Sequence, residues 1–108
     1  MSFIKVASVN EIPEGAGKTI QVNGRAIAIL NNQGKLFAID NTCAHRGGPL
    51  GEGMCQNNIV TCPWHGWEYD LETGICTFDD SIKLPTFEVK IQGNDILINS
   101  EPKNTGGK

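Results

Sequence analysis

Two short segments near the middle of the chain each contain one cysteine and one histidine. They read Cys43-x-His45 and Cys62-x-x-His65, sixteen residues lie between them, and their histidines are the only two in the chain. Cysteine thiolates and neutral imidazoles are metal ligands. We therefore predict that these four side chains bind one metal centre.

The spacing of these ligands leaves zinc and an iron–sulfur cluster as the two candidate centres. Zinc fingers usually begin with a pair of cysteines, whereas each segment here contributes one cysteine and one histidine. The single residue between Cys43 and His45 leaves little room for both side chains to bind the same tetrahedral ion. This spacing suits two loops that together hold two iron atoms. A cluster with only cysteine ligands is disfavoured, because the four cysteines do not follow the plant-type spacing.

The composition indicates one small domain. The chain has 108 residues, of which 39% are apolar, enough for one modest core. The N-terminus lacks the layout of a signal peptide, and no apolar run approaches the roughly 20 residues of a membrane helix, which predicts a cytoplasmic protein with no membrane contact. A formal charge of -3 with scattered Lys and Arg argues against a nucleic-acid-binding surface and favours a basic protein partner.

The four cysteines are read in the light of this compartment. In a reducing cytosol, cysteines bind metal or stay as thiols more often than they form disulfides.

Turn signals recur about every eight to twelve residues and helical periodicity is weak, which predicts an all-β, antiparallel sandwich or barrel. Asn23-Gly24 predicts a tight hairpin because both residues tolerate positive φ, whereas residues 31–34 predict a looser turn. The region 41–53 contains four of the thirteen glycines and should be a loop. We expect a domain over residues 1–99, with its metal-binding region at about 41–80, and a flexible polar tail over 100–108. The predicted strands are 3–6, 18–22, 25–30, 35–40, 59–61, 67–71, 75–77, 87–91 and 96–98.

The motif resembles that of the Rieske family. The family pattern, Cys-x-His, about sixteen residues and Cys-x-x-His, is met here, together with Gly-Gly-Pro-Leu at 47–50 and His-Gly-Trp at 65–67. The resemblance implies one [2Fe-2S] cluster with Cys43 and Cys62 on one iron and His45 and His65 on the other. It also implies the Rieske iron–sulfur fold, in which an antiparallel sandwich or barrel base carries a small cluster-binding subdomain of two loops.

The resemblance further implies an electron carrier that is not an enzyme. Both histidines are used as cluster ligands, and the chain has no room for the catalytic domain of a terminal oxygenase, so we predict no catalytic residue. The implied role is the ferredoxin component of a multicomponent ring-hydroxylating dioxygenase or related oxygenase, a soluble monomer that passes electrons from an NAD(P)H-dependent flavoprotein reductase to a terminal oxygenase through transient contacts. Two alternatives stay open: the Rieske-like small subunit of an assimilatory nitrite reductase, and a structural zinc module.

The residues near the ligands also predict the reduction potential. Rieske centres lie at roughly −150 to +300 mV, because two imidazoles in place of two thiolates leave the oxidised cluster neutral. High-potential respiratory members resemble this chain but have a disulfide at the positions of Gly48 and Trp64 and a serine at that of Trp67. Their tyrosine is kept here as Tyr69, which we expect can still donate a hydrogen bond to a cluster sulfur. Fewer hydrogen-bond donors to the cluster sulfurs stabilise the reduced cluster less, so we expect a reduction potential around or below zero.

The reduction potential should also depend on pH. Reduction raises the pKa of ligating imidazoles, so the potential should be constant at neutral pH and fall by up to roughly 59 mV per pH unit in alkali.

The other residues near the motif are given structural interpretations. Cys55 and Cys76 lie outside the pattern and should be small buried residues, with a disulfide between them or a reactive thiol as alternatives. Trp64 and Trp67 should pack over the cluster and exclude water, while Arg46 either contacts a partner or is simply solvated. The acidic residues expected on a solvated face are Glu68, Asp70, Asp79 and Asp80.

Overall fold

The computed structural model describes residues 3–43, 47–64 and 66–102. Its strands are β1 (Phe3–Ser8), β2 (Gly17–Val22), β3 (Arg25–Asn32), β4 (Lys35–Asp40), β5 (Met54–Gln56), β6 (Ile59–Thr61), β7 (Glu68–Asp70), β8 (Ile75–Cys76), β9 (Asp79–Lys83), β10 (Thr86–Gln92) and β11 (Asp95–Pro102). Within these ranges the helical elements are two short 3₁₀ turns, Val9–Glu11 and Leu50–Glu52. No helix in the described part of the chain has the length and apolar character needed to cross a membrane. The prediction of an all-β protein is confirmed.

The larger sheet forms the base of the molecule. Its six antiparallel strands follow the order β1-β11-β10-β4-β3-β2 and curl into a near-closed barrel. Every one of these strands sends apolar side chains into a single interior, among them Ile20, Ile27, Phe87 and Ile98. Burial of these side chains supplies the main driving force for closing the sheet. The predicted barrel base is therefore confirmed.

Strands β3 and β4 are buried on both faces because a second layer packs against the barrel. Ile27 and Ile29 point into the barrel, whereas Ala28 and Leu30 alternate to the outside. On that side they meet Val60 and other side chains of a smaller antiparallel sheet with the order β5-β6-β7-β8-β9. This interface, here called the second core, supports the predicted metal-binding loops.

Two tight hairpins set the register of the barrel. The Asn23-Gly24 turn between β2 and β3 is confirmed, with φ of 52° and 80°. Gln33-Gly34 makes an equally short link between β3 and β4, with φ of 54° and 93°. The looser turn predicted for residues 31–34 is wrong, because Gln33 adopts a left-handed conformation that is uncommon outside glycine and asparagine.

Two strands and one boundary differ from the predictions. The edge strands β5 and β9 are not predicted by the sequence, because β5 has only three residues and β9 begins with two aspartates; pairing with β6 and β8 makes them strands. Strand β11 continues beyond residue 99 to Pro102, which pairs with Phe87. The first three residues of the predicted tail therefore belong to the sheet, and residues 103–108 lie outside the described residues.

Candidate metal centre

Buried Asn41 anchors the segment that carries the first predicted cysteine. Its side-chain oxygen accepts hydrogen bonds from Thr19 Oγ1 at 2.9 Å and from Gly51 N at 2.7 Å. Its backbone oxygen accepts another from Leu50 N at 2.8 Å. Asn41 thereby joins strand β2 of the barrel to the chain on both sides of Cys43. Sequence reasoning missed this role, because an asparagine at the start of a Gly-rich loop also fits an ordinary solvated turn.

Two backbone hydrogen bonds join the described ends of residues 43–48, a segment here called the first loop. Gly47 N donates to Cys43 O at 2.8 Å, and Cys43 N donates to Gly48 O at 3.0 Å. Gly47 has a φ of 75°, a conformation that glycine adopts without steric cost. The loop therefore presents Cys43 from a tightly closed backbone.

Residues 62–67, here called the second loop, repeat this arrangement. Gly66 N donates to Cys62 O at 3.1 Å, and Cys62 N donates to Trp67 O at 2.8 Å. Gly66 has a φ of 77°, close to that of the corresponding glycine in the first loop. Although the loops differ in the spacing of cysteine and histidine, the same pair of backbone hydrogen bonds holds the cysteine in each.

Both cysteines of the motif are buried in the second core. Cys43 and Cys62 are each 2% exposed and belong to the same apolar cluster as Tyr69. The Tyr69 hydroxyl, which is fully buried, lies 3.2 Å from Cys43 Sγ. A metal-bound thiolate can only accept, so Tyr69 is then the donor. This geometry agrees with the predicted hydrogen bond from Tyr69 to a ligand sulfur.

Gly48 of the first loop lies directly against the sulfur of the second. A β-carbon at this position would be 2.6 Å from Cys62 Sγ and 3.1 Å from Trp64 Cγ, closer than side chains normally approach. Trp64 is nevertheless 55% exposed. Part of its ring covers Gly48 and the rest meets water, so the predicted packing role describes only half of this side chain.

The two predicted histidine ligands and Arg46 lie outside the described residues. Among the residues that the structure does describe, no three His, Cys, Asp or Glu side chains are grouped so that they could hold a metal ion. The structure therefore places the cysteine half of the predicted set. Ligation by Cys43, His45, Cys62 and His65 together stays a prediction.

The described residues fit an iron–sulfur cluster. Two cysteines share a dry apolar environment, one beside a phenol donor and the other beside a glycine that leaves room around the sulfur. Thiolate ligands and hydrogen bonds to their sulfurs are the features by which proteins hold and tune such clusters. When bound, the cluster accepts and returns one electron, and these residues hold its sulfur ligands and exclude water from that side.

Cys55 and Cys76 are buried free thiols. Cys55 Sγ donates a hydrogen bond to Asn31 O at 3.1 Å. Burial raises the pKa of the Cys55 thiol, so it stays protonated and unreactive at neutral pH. The interpretation of both residues as small core side chains is confirmed, and the alternative disulfide between them is wrong.

Trp67 packs against the second core as predicted, and its exclusion of water from the cluster stays a prediction. Its ring meets that of Phe78 edge to face with centroids 4.9 Å apart. Phe78 itself is 60% exposed. The two rings thus form an aromatic contact at the surface of the small sheet.

Three of the four acidic residues expected on a solvated face are exposed, namely Glu68, Asp79 and Asp80. Asp70 is half-buried, and its carboxylate accepts hydrogen bonds from Glu72 N at 2.8 Å and Thr73 N at 3.1 Å. The prediction is wrong for this residue, because its side chain closes the turn after β7.

Solved structures share the fold of this chain, and two examples follow. The ferredoxin of carbazole 1,9a-dioxygenase from Nocardioides aromaticivorans IC177 has a TM-score of 0.84 at 22% identity, covering 94% of this chain and 100% of that one. A protein from Mycobacterium tuberculosis, described as the small subunit of an NADH-dependent nitrite reductase, has a TM-score of 0.83 at 16% identity, covering 90% and 93%. At these identities the likeness establishes the fold alone.

Sequence comparison goes further. The profile of the Rieske [2Fe-2S] domain matches residues 2–101. The ferredoxin component of the naphthalene 1,2-dioxygenase/salicylate 5-hydroxylase systems of Ralstonia sp. is 32% identical over 103 residues, which cover 93% of this chain and 97% of that protein. With a match over nearly its whole length, this chain belongs to the Rieske family, and its cofactor is a Rieske-type [2Fe-2S] cluster.

Proposed function

We propose that this protein is a one-electron carrier that passes electrons from an NAD(P)H-dependent flavoprotein reductase to a terminal oxygenase. In this proposal Cys43 and Cys62 hold one iron of the cluster, and His45 and His65 hold the other. The protein has no catalytic residue of its own. It acts in the cytoplasm as a monomer and makes short-lived contacts with each partner in turn.

The observation that carries this proposal is the convergence of two matching loops on a pair of buried cysteines. Both backbones are closed by hydrogen bonds, and both sulfurs lie in the second core. Ligands held this rigidly move little between the oxidised and reduced states, which favours fast electron transfer. Because the barrel and the small sheet cover the cysteine side, electrons would enter and leave through the histidine-bound iron.

The comparisons support an oxygenase system more than the two alternatives. The Ralstonia relative, which matches at 32% identity over 97% of its length, is named as the ferredoxin component of oxygenase systems. The likeness to a nitrite reductase small subunit rests on the fold, at 16% identity. A zinc module is contradicted by the family assignment, because the cofactor of that family is an iron–sulfur cluster.

Reconstitution tests the carrier function. A flavoprotein reductase and a terminal oxygenase of a ring-hydroxylating dioxygenase system are mixed with NADH and substrate, and turnover is followed with and without the purified holoprotein. We expect turnover to depend on the holoprotein and to be absent with a Cys62→Ser variant that lacks the cluster. Equal turnover without the protein contradicts the proposal, and stimulation of a nitrite reductase large subunit instead supports the alternative.

Voltammetry of the same preparation tests the expected electronic environment. The residues Gly48, Trp64 and Trp67, which replace the disulfide and the serine of high-potential members, predict a potential around or below zero. A value above about +200 mV, near the top of the family range, contradicts this expectation.

A further inference from the structure

One contact between the two loops involves no predicted metal ligand. Trp64 belongs to the second loop and Gly48 to the first. A β-carbon at Gly48 would lie 3.1 Å from Trp64 Cγ, 3.2 Å from Trp64 Cδ2 and 2.6 Å from Cys62 Sγ. The base of the indole ring therefore rests on the backbone of the first loop, beside the sulfur that the second loop presents.

The backbone hydrogen bonds described above close each loop on itself. These hydrogen bonds orient Cys43 and Cys62 within their own loops, but they do not set the distance between the loops. A binuclear cluster needs that distance held constant, because its ligands come from both sides. The contact of Trp64 with Gly48 crosses from one loop to the other and can hold it.

The partial exposure of Trp64 agrees with this role. The side chain lies on a surface loop, yet only 55% of it is accessible to water. Removing the remaining apolar surface from water stabilises the contact with the first loop. Trp64 Cγ and Cδ2 lie close to Gly48, and the same glycine lies against the sulfur of Cys62, a residue that is 2% exposed.

We propose that Trp64 and Gly48 form a clasp that sets the spacing of the two loops and covers the Cys62 sulfur. Trp64 is then a positioning residue of the cluster, acting through the first loop without touching iron. This inference rests on the ligand set of the proposed function. Water that reaches a cluster sulfur donates hydrogen bonds that favour the more negative, reduced state. Opening the clasp therefore raises the reduction potential as well as loosening the cluster.

Loss of the cluster from purified holoprotein tests the clasp without any redox partner. Cluster absorbance is followed in excess EDTA, and the potential is measured by voltammetry. We expect Trp64→Ala to lose the cluster at least tenfold faster than the native protein and to have a higher potential. Trp64→Phe keeps a ring over Gly48 and should restore both values.

Phe78→Ala is the matched control. Phe78 is an aromatic residue of similar exposure in the same subdomain, but its ring contacts Trp67, a residue of the second loop. Its removal opens no contact with the first loop, so the rate of cluster loss and the potential should stay at their native values. Effects equal to those of Trp64→Ala would overturn the proposal.

A double-mutant cycle tests the contact itself. Gly48→Ala adds a methyl group that collides with both the indole ring and Cys62 Sγ. With Trp64→Ala present, half of this collision is gone, so the two substitutions should change the logarithm of the rate by less than the sum of their separate effects. Additive effects, or an unchanged rate and potential in Trp64→Ala, would overturn the clasp.

Two outcomes separate this inference from the proposed function. If Trp64→Ala takes up no cluster, Trp64→Leu and Trp64→Phe are compared: faster loss in Trp64→Leu supports the clasp, and equal rates overturn it. If the native protein itself contains no [2Fe-2S] cluster, the proposed ligand set and function fail. A cluster that is equally durable in every variant refutes the clasp alone.

Discussion

The first and second loops have the same backbone closure but surround their cysteine sulfurs differently. Cys43 Sγ lies 3.2 Å from the phenol of Tyr69, a hydrogen-bond donor. Beside Cys62 Sγ lies the backbone of Gly48, under the ring of Trp64. The phenol beside Cys43 comes from the small sheet, whereas the glycine and the indole ring near Cys62 come from the two loops themselves.

This difference separates two tasks that a metal site must perform. In both loops, backbone hydrogen bonds and a glycine at the turn orient the cysteine ligand. The neighbours of each sulfur determine how much negative charge the site tolerates, and hence its potential. Ligand geometry and electronic tuning therefore depend on different residues and can be changed separately.

The largest expected effect comes from removing a ligand from either loop. Cys43→Ala and His65→Ala should each abolish the cluster, because a binuclear centre needs ligands from both loops. Iron and acid-labile sulfide, about two of each per chain in the native protein, would fall to background. Cys55→Ala is the control, since this buried thiol lies outside the motif, and it should keep a full cluster. Full iron content in either ligand variant contradicts the assignment.

Gly47→Ala and Gly66→Ala should have a smaller effect than the loss of a ligand. Each should lower the free energy of unfolding by the same amount. Both positions have positive φ, and an added β-carbon meets only Thr42 Cγ2 at 3.8 Å in the first loop and nothing within 4 Å in the second. The cost is therefore backbone strain of about 1–2 kcal/mol, or a fall of several degrees in Tm, roughly 4–8 °C per kcal/mol for a domain of this size.

Thermal unfolding of the holoproteins checks this equality. Gly24→Ala is the matched control, because Gly24 has a φ of 80° with nothing within 4 Å and lies in a barrel hairpin. All three variants should lose similar stability. A Tm that falls much further in one loop than in the other would show that the two backbone frames are not equivalent.

Tyr69→Phe removes the hydroxyl that lies beside the cysteine sulfur of the first loop. The hydroxyl donates to the Cys43 sulfur, and this bond is stronger in the reduced, more negative cluster. Its loss should lower the potential on the order of 40 mV, equivalent to about 1 kcal/mol for one electron. Voltammetry at pH 7 measures the change. An unchanged potential would mean that the two sulfurs are tuned alike despite their different neighbours.

The smallest effect concerns Cys55, a buried thiol outside both loops. Burial raises the pKa of this thiol in the folded protein, so the folded state holds the proton more tightly than the unfolded chain. Its contribution to stability is complete below the unfolded thiol pKa of about 8.5 and is lost as pH rises through the higher folded value.

Urea unfolding between pH 7.5 and pH 10 checks this dependence. The free energy of unfolding should fall less steeply with pH in Cys55→Ala than in the native protein. Val60→Ala is the control, because it shortens a side chain of the same core that does not titrate, and it should retain the native slope. Identical slopes in the native protein and Cys55→Ala would show that the thiol does not ionise on unfolding in this range.

Predictions from sequence succeeded where a local pattern was sufficient. Asn23-Gly24 makes the hairpin that its backbone preferences predict, and Cys55 and Cys76 are buried as small residues outside the motif. They failed where a distant partner was needed. Strands β5 and β9 form because neighbouring strands pair with them, and Asn41 is important because Thr19 and Gly51 come within hydrogen-bond distance of its side chain.

The sequence by itself determined the fold class and the kind of cofactor, because strand alternation, turn chemistry and the identity and order of the ligands are properties of the linear chain. Only the tertiary structure decided what surrounds each cysteine sulfur. Tyr69 lies 26 residues from Cys43 along the chain, and Gly48 meets Cys62 from the opposite loop. These contacts exist because the barrel and the small sheet pack their apolar faces together, and no local pattern in the sequence encodes that packing.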